Sequence, residues 1–449
     1  MSTIEKHDMT QGKILLPLVS FTIPLVLGNL FQLTYNAADS VIVGKYVGEQ
    51  ALAAVGTSTP IMNIAILLIS GMCMGASVLM SSQYGAKDYD TLSRQISTTM
   101  LAGCGFSVVF SLLMLLLANP VLRLIRVPET AIPEAAAYLR IIFMGLIFTF
   151  MYNFLANTMR ALGDSKTPLY FLVTSAFLNI FGDLFFVVVL RWGVAGSAIA
   201  TVCSEGLCCL LCGIYIKKKI PLLCLGKKWW VFDKSLLGKT VSYGSTSAMQ
   251  QVCLQLGKLI IQSVVNTQGV AVMAAFTAVN RVDDFAYTPQ QNIGHAMTTF
   301  LAQNKGAGHK ERMKKGFQTG LLIELVYSIG LFAVIWGLAP QIMTLFAEDG
   351  DAQVVSLGIS YLHLISWMYI LPGLTNGVQG FFRGIGDLKV TLYSTFMNMF
   401  GRVVAVFVMI RLLQMEFASL AWANMVGWIV MLLFEVPLLV KSMRNGECG

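Results

Sequence analysis

Asn179 and Asp183 stand four residues apart in the apolar segment FLNIFGDLFF, so on a helix they share one face, one turn apart. Asp39 interrupts a second apolar run, which begins at Ile14 and carries no other charge before Lys45. A third run, opening near Gly193, brings the hydroxyl of Thr201. Two carboxylates held in a dry pocket repel each other, and one small cation relieves them. A proton does so directly; Na⁺ does so with Asn179 and Thr201 supplying neutral oxygens. The plainer alternative is a buried acid that only hydrogen-bonds to a neighbouring helix.

The segments that must position these groups follow from composition. The chain has 449 residues, 56% hydrophobic and 12% charged, with a mean hydropathy of +0.70. Long uncharged runs of this kind predict an all-α polytopic membrane protein. Runs of spanning length fall at about 14–43, 51–82, 95–118, 134–158, 168–190, 194–216, 240–265, 271–302, 317–339, 354–380, 390–411 and 417–440. The polar start, MSTIEKHDMTQGK, precedes a full-length run and does not read as a cleaved signal peptide.

Basic residues orient the twelve spans. With the N-terminus inside, the inner segments hold 22 of the 31 lysines and arginines, and the outer loops hold Lys45, Arg123, Arg126, Arg191 and Arg411. That asymmetry predicts a plasma-membrane protein with both termini cytoplasmic. It also accounts for the basic balance without nucleic acid, anionic lipid being the natural neighbour of those charges. On this orientation Asp39 lies about 9 Å, and Asp183 and Thr201 about 12 Å, below the outer ends of their helices, so the four groups share one layer. CCLLC, with Cys208, Cys209 and Cys212, has no histidine beside it and reads as helix packing rather than a metal cluster.

The chain repeats itself. RALGDSKTPLY (160–170) returns as RGIGDLKVTLY (383–393), 223 residues later, and QYGA (83–86) returns within QNKGAG (303–308). The predicted division is 1–216, a linker at 217–239, and 240–449. Two like six-helix halves related by an axis along the membrane normal are the plan of an alternating-access carrier. The Gly-Asp loops read as capped turns or as gating elements. Pro24, in the first span, is a hinge candidate or a passive irregularity.

Other polar residues in the spans line up as cavity candidates: Gln32, Tyr35 and Asn36 before Asp39, and Asn153 and Asn157 on the fourth span. In NRVDDFAYTPQQNIG, Asp283, Asp284 and Tyr287 either select cationic substrates or form an internal ion pair with Arg281 or Lys258. Glu205, Glu324 and Glu435 also lie in or near spans, and Glu435 is expected to snorkel to the inner interface.

IPLVLGNLFQLTYNAADSVIVGKYVGEQALAAVG, the loops RALGDSKTP and RGIGD, and QNKGAG followed by ERMKKG resemble the multidrug and toxic compound extrusion (MATE) transporters, nearest in pattern to the DinF- and MepA-like branch. The resemblance covers nearly the whole chain. It implies a bacterial protein with a V-shaped pair of six-helix lobes that exports organic cations and other amphipathic drugs against H⁺ or Na⁺. It also implies that Asp39, Asn179, Asp183 and Thr201 match the family's N-lobe cation site. Some branches carry a coupling glutamate on the seventh helix; here SAMQQVCLQLGK offers Gln250, Gln251, Gln255 and Lys258 instead. The expected protein needs no cofactor beyond its coupling ion, works as a monomer, and takes small organic cations as substrates. The competing readings are a flippase for a lipid-linked saccharide or cell-wall precursor, which would want cationic groups in its cavity, and an intramembrane enzyme. For the latter no HExxH, GxGD or Ser/His pairing stands in the spans.

Overall fold

A backbone in hydrocarbon must satisfy its own N–H and C=O groups, and this chain does so with helices. The computed structural model describes residues 8–47, 49–125, 127–129, 131–220, 230–346, 352–415 and 417–444. Fourteen α-helices, and no strand, occur among the described residues. They fall into two compact units, one built on Ile23–Ala248, the other on Met9–Thr22 and the chain from Met249 onward.

The N-terminal unit holds most of α1 (Leu15–Tyr46), then α2 (Glu49–Gly85), α3 (Tyr89–Leu124), α4 (Ile132–Met144), α5 (Leu146–Ala161), α6 (Lys166–Asp183) and α7 (Gly193–Lys219). Between α6 and α7 the helix continues as a π segment, Leu184–Val189. The core is apolar and aromatic, with Phe143, Phe150 and Phe154 packed beside Leu92, Leu122 and Leu139. Cys208 and Cys212 are fully buried there, as packing residues would be.

The C-terminal unit repeats the pattern. After α8 (Lys234–Val265), shared between the units, come α9 (Val270–Gly306), α10 (Lys310–Phe346), α11 (Ala352–Ser366), α12 (Ile370–Ile385), α13 (Leu388–Val406) and α14 (Ser419–Arg444). A 3₁₀ turn, Trp367–Tyr369, joins α11 to α12, and a second π segment, Phe407–Leu412, follows α13. The two π segments are 223 residues apart, the spacing of the sequence repeat.

Nine helical stretches among the described residues are long and apolar enough to cross a membrane, or ten when α4 and α5, bent by 47° at Gly145, count as one. α8 and α9 complete the twelve expected runs. They are 32 and 37 residues long, but glutamines, Lys258, Arg281 and two aspartates dilute their apolar content.

Both repeated Gly-Asp loops turn through a left-handed glycine, but only the first is capped by its aspartate, Asp387 making no side-chain cap bond to α13. Gly163 and Gly386 sit at φ +89° and +85°, a left-handed conformation that side chains resist. Asp164 then accepts the N–H groups of Lys166 and Thr167, both at 3.0 Å, and so caps α6. Asp88 caps α3 by accepting the Thr91 N–H at 3.1 Å. Hydrogen bonds from Thr91 hold its carboxyl below the usual carboxylate range. Asp233 caps α8 through the N–H groups of Ser235 and Leu236 and pairs with Arg94 of α3.

Candidate functional site

Asn179 and Thr201 meet where α6 packs against α7, and Asp183 stands one turn beyond Asn179 on α6. The Asn179 side-chain N–H donates to Thr201 Oγ1 at 3.2 Å, and that hydroxyl donates to the Ser197 carbonyl at 3.1 Å. Asp183 is wholly buried, and Asn179 nearly so. The approach depends on small residues. A Cβ on Gly182 would lie 3.0 Å from the Ala200 Cβ, and one on Gly196 would lie 3.0 Å from the Phe186 carbonyl oxygen. α7 therefore sits against both the last turn of α6 and the π segment that Asp183 introduces. A π turn widens the helix by one residue and re-aims the groups beside it.

The fourth expected member, Asp39, lies on α1, but its side chain falls outside the described residues, as does that of Asn36. Gln32 is exposed and Tyr35 half-buried on the same helix. Pro24 is buried, one residue past the point where α1 passes from the C-terminal to the N-terminal unit.

One turn beyond Thr201 on α7 stands Glu205, which accepts a hydrogen bond from the Thr149 hydroxyl of α5 at 2.5 Å. Its i, i+4 relation to Thr201 was readable in sequence, although not its link to α5. Asn153 and Asn157 spend their side-chain N–H groups within α5, donating to the carbonyls of Thr149 and Asn153 at 2.9 and 2.8 Å.

The C-terminal unit answers with different chemistry. At the repeat spacing, Arg402 and Val406 stand where Asn179 and Asp183 stand in the first half. The acids are on α9 instead. Asp283 is buried and accepts from the Tyr361 and Tyr369 hydroxyls at 2.8 and 2.6 Å, and Asn424 donates to the Tyr361 oxygen at 2.8 Å. Asp284 points elsewhere and pairs with Lys258 at 3.2 Å. Of the two expected cationic partners, then, Lys258 is engaged while Arg281 is exposed and forms no ion pair among the described residues. Tyr287 packs edge-on against Tyr369 and Trp428, at ring-centroid distances of 5.5 and 5.8 Å.

Glu435 does not snorkel. It is fully buried, near Ser394, Gln379 and Arg383. Arg383, itself buried, donates to Gln379 Oε1 at 2.8 Å and to Gln250 Oε1 at 3.3 Å. A buried guanidinium in reach is a better counterpart for the carboxylate than a distant interface.

Comparison with known proteins adds to this geometry. The MatE family model matches residues 24–185 and 247–409, once in each half. A probable multidrug resistance protein, YpnP of Bacillus subtilis, is 32% identical over 87% of this chain and 86% of its own length. A probable multidrug resistance protein NorM of Thermotoga maritima is 23% identical over 92% of this chain and 89% of its own. The multidrug export protein MepA of Staphylococcus saprophyticus is 19% identical over 85% and 83%. Among solved structures, a MATE protein in complex with MaL6 superposes with a TM-score of 0.92 at 22% identity, over 98% of each chain.

Proposed function

This chain belongs to the MatE family of membrane transporters, and from that premise we propose that it is a secondary active exporter of amphipathic organic cations, driven by inward movement of H⁺ or Na⁺. The relatives named above are multidrug resistance or export proteins, which supports export as the direction and drugs as the substrate class. The observation that carries the coupling is the Asn179–Thr201 contact one turn from the buried Asp183. A carboxylate held out of water next to an amide and a hydroxyl is costly in its bare state. Taking up a cation removes that cost, and the binding free energy biases whichever conformation binds it better.

In this reading the substrate enters from the cytoplasm, with both termini on that side. Cation arrival at the α1, α6 and α7 layer, with Asp39 as its fourth member, promotes release outward. Pro24 is the hinge that lets α1 respond, since a proline leaves the preceding turn one hydrogen bond short. Gln32, Tyr35, Asn36, Asn153, Asn157 and Tyr287 are the proposed substrate contacts. Asp283 and Asp284 attract cations at longer range while remaining anchored by their tyrosines and by Lys258.

The flippase reading wants cationic groups free for a phosphate. Lys258 is held by Asp284 at 3.2 Å, which removes one of the cationic groups in the spans from that role. The test is ethidium accumulation in an efflux-deficient bacterium that expresses the chain. Lower accumulation than in the empty-vector strain, restored to that level by Asp183→Asn, is expected. Equal accumulation in both strains overturns the export of cations.

A further inference from the structure

Glu205 of α7 is a carboxylate inside the N-terminal unit that the coupling layer does not use. Thr149 of α5 donates to its Oε2 at 2.5 Å and is its only hydrogen-bond partner among the described residues. No lysine or arginine pairs with it among those residues. The helix shows which way it faces. Cys203, Leu207, Leu210 and Ile214 are exposed and make the lipid side of α7. Glu205 lies about 160° round the helix from Leu207, yet it is only half-buried. Its open oxygen therefore reaches a space within the unit rather than lipid.

That space is built from α5. The chain bends by 47° between α4 and α5 at Gly145, where any side chain would run into Val202 of α7. The bend lays the first turns of α5 along α7. Thr149, Tyr152 and Asn153, spaced i, i+3 and i+4, share the face that meets Glu205. Tyr152 lies near Tyr35 of α1 and Cys208 of α7, and Cys208 lies near Glu205. Arg160, at the inner end of α5, is also near Tyr152 but makes no ion pair with Glu205. The surroundings are thus two phenol rings, a thiol and a hydroxyl whose proton is already given to the carboxylate. They are poor for a small metal ion, which wants several oxygens turned toward it. They suit a bulky organic cation, whose charge meets the open carboxylate oxygen while its apolar body lies on ring faces.

We propose that Glu205, with Tyr152 and Tyr35 supplying ring faces, receives the positive centre of the exported organic cation. The proposal rests on the export reading above and deepens it by naming the substrate's charge partner. It also gives the exchange a physical link. Thr201 and Glu205 stand one turn apart on α7, so a cation held in the Thr201 layer repels a positive centre held at Glu205. Arrival of the one favours departure of the other.

The test reads binding by the full chain in phospholipid nanodiscs, using isothermal titration calorimetry with tetraphenylphosphonium and its neutral analogue, triphenylphosphine oxide. The unaltered protein should prefer the cation. Glu205→Gln should cut that preference by about tenfold or more, the scale of one lost interaction with a charged group, and leave affinity for the neutral compound unchanged. Glu205→Met, similar in length and without charge, should behave in the same way. Glu205→Asp keeps the charge and should recover most of the preference. A preference that survives Glu205→Gln and Glu205→Met, or equal weakening of both compounds in each, overturns the role of Glu205 and leaves the export reading standing on its other residues. An unaltered protein that binds neither compound overturns the export of organic cations, and the charge partner with it.

Discussion

Asn179 of α6 donates to Thr201 of α7 across a helix pair brought together by Gly182 and Gly196. The bond lies one helical turn from Asp183 and is made by two neutral side chains. A double-mutant cycle with Asn179→Leu and Thr201→Val should return a coupling of about 1 kcal/mol, typical of a hydrogen bond between membrane helices. Reversible unfolding in mixed detergent measures it.

The glycines set the spacing of that pair. Gly182→Val or Gly196→Val places methyl groups against Ala200 or the Phe186 carbonyl, so α6 and α7 must part. Each substitution should cost about 1–3 kcal/mol, the usual penalty of overpacking, while Gly330→Val, which meets no atom within 4 Å, should cost little. Thermal unfolding of the three purified variants decides it.

Asp283 is held by two phenols, at 2.8 and 2.6 Å. Tyr361→Phe and Tyr369→Phe should each lose about 1–3 kcal/mol, because each leaves a buried carboxylate oxygen short of a donor. In an Asp283→Asn background the same substitutions should cost less. Additive losses in an unfolding assay would mean that the phenols matter for packing alone.

Acid should weaken one surface cap. The folded Asp88 carboxyl lies below its ordinary range, so the unfolded chain binds its proton first as pH falls. The cap's contribution is complete above about pH 5 and is lost as the pH drops through the folded value, below about 3.9. Asp88→Asn keeps a capping oxygen and should flatten this part of the pH profile. Tm measured at a series of acid pH values for the two proteins checks the sign.

The spans, the repeat and the nearness of Asn179 to Thr201 were legible because helical period, charge placement and depth are all local properties of sequence. FLNIFGDLFF shows two polar groups on one face whatever surrounds it. The π segments were not legible, since a one-residue widening of a uniformly apolar run such as LFFVVV leaves no mark in composition. Nor was the fate of the glutamates. Glu435 reads in sequence as an interfacial residue, whereas the fold buries it near Arg383 of α12, and nothing around Glu324 in the sequence marks it as a buried side chain. Such placements depend on helices distant in the chain, and only packing creates them.

The central claim is that a cation gradient acting on the Asp183 layer drives export. Its most direct test is ethidium efflux from proteoliposomes under a proton gradient or a sodium gradient imposed separately, with Asp39→Asn and Asp183→Asn beside the unaltered protein. The account predicts gradient-driven efflux in the unaltered protein and its loss in both variants, each still folded and still binding ethidium. Normal efflux in both variants would contradict it, and the layer at α6 and α7 would then be a packing feature only.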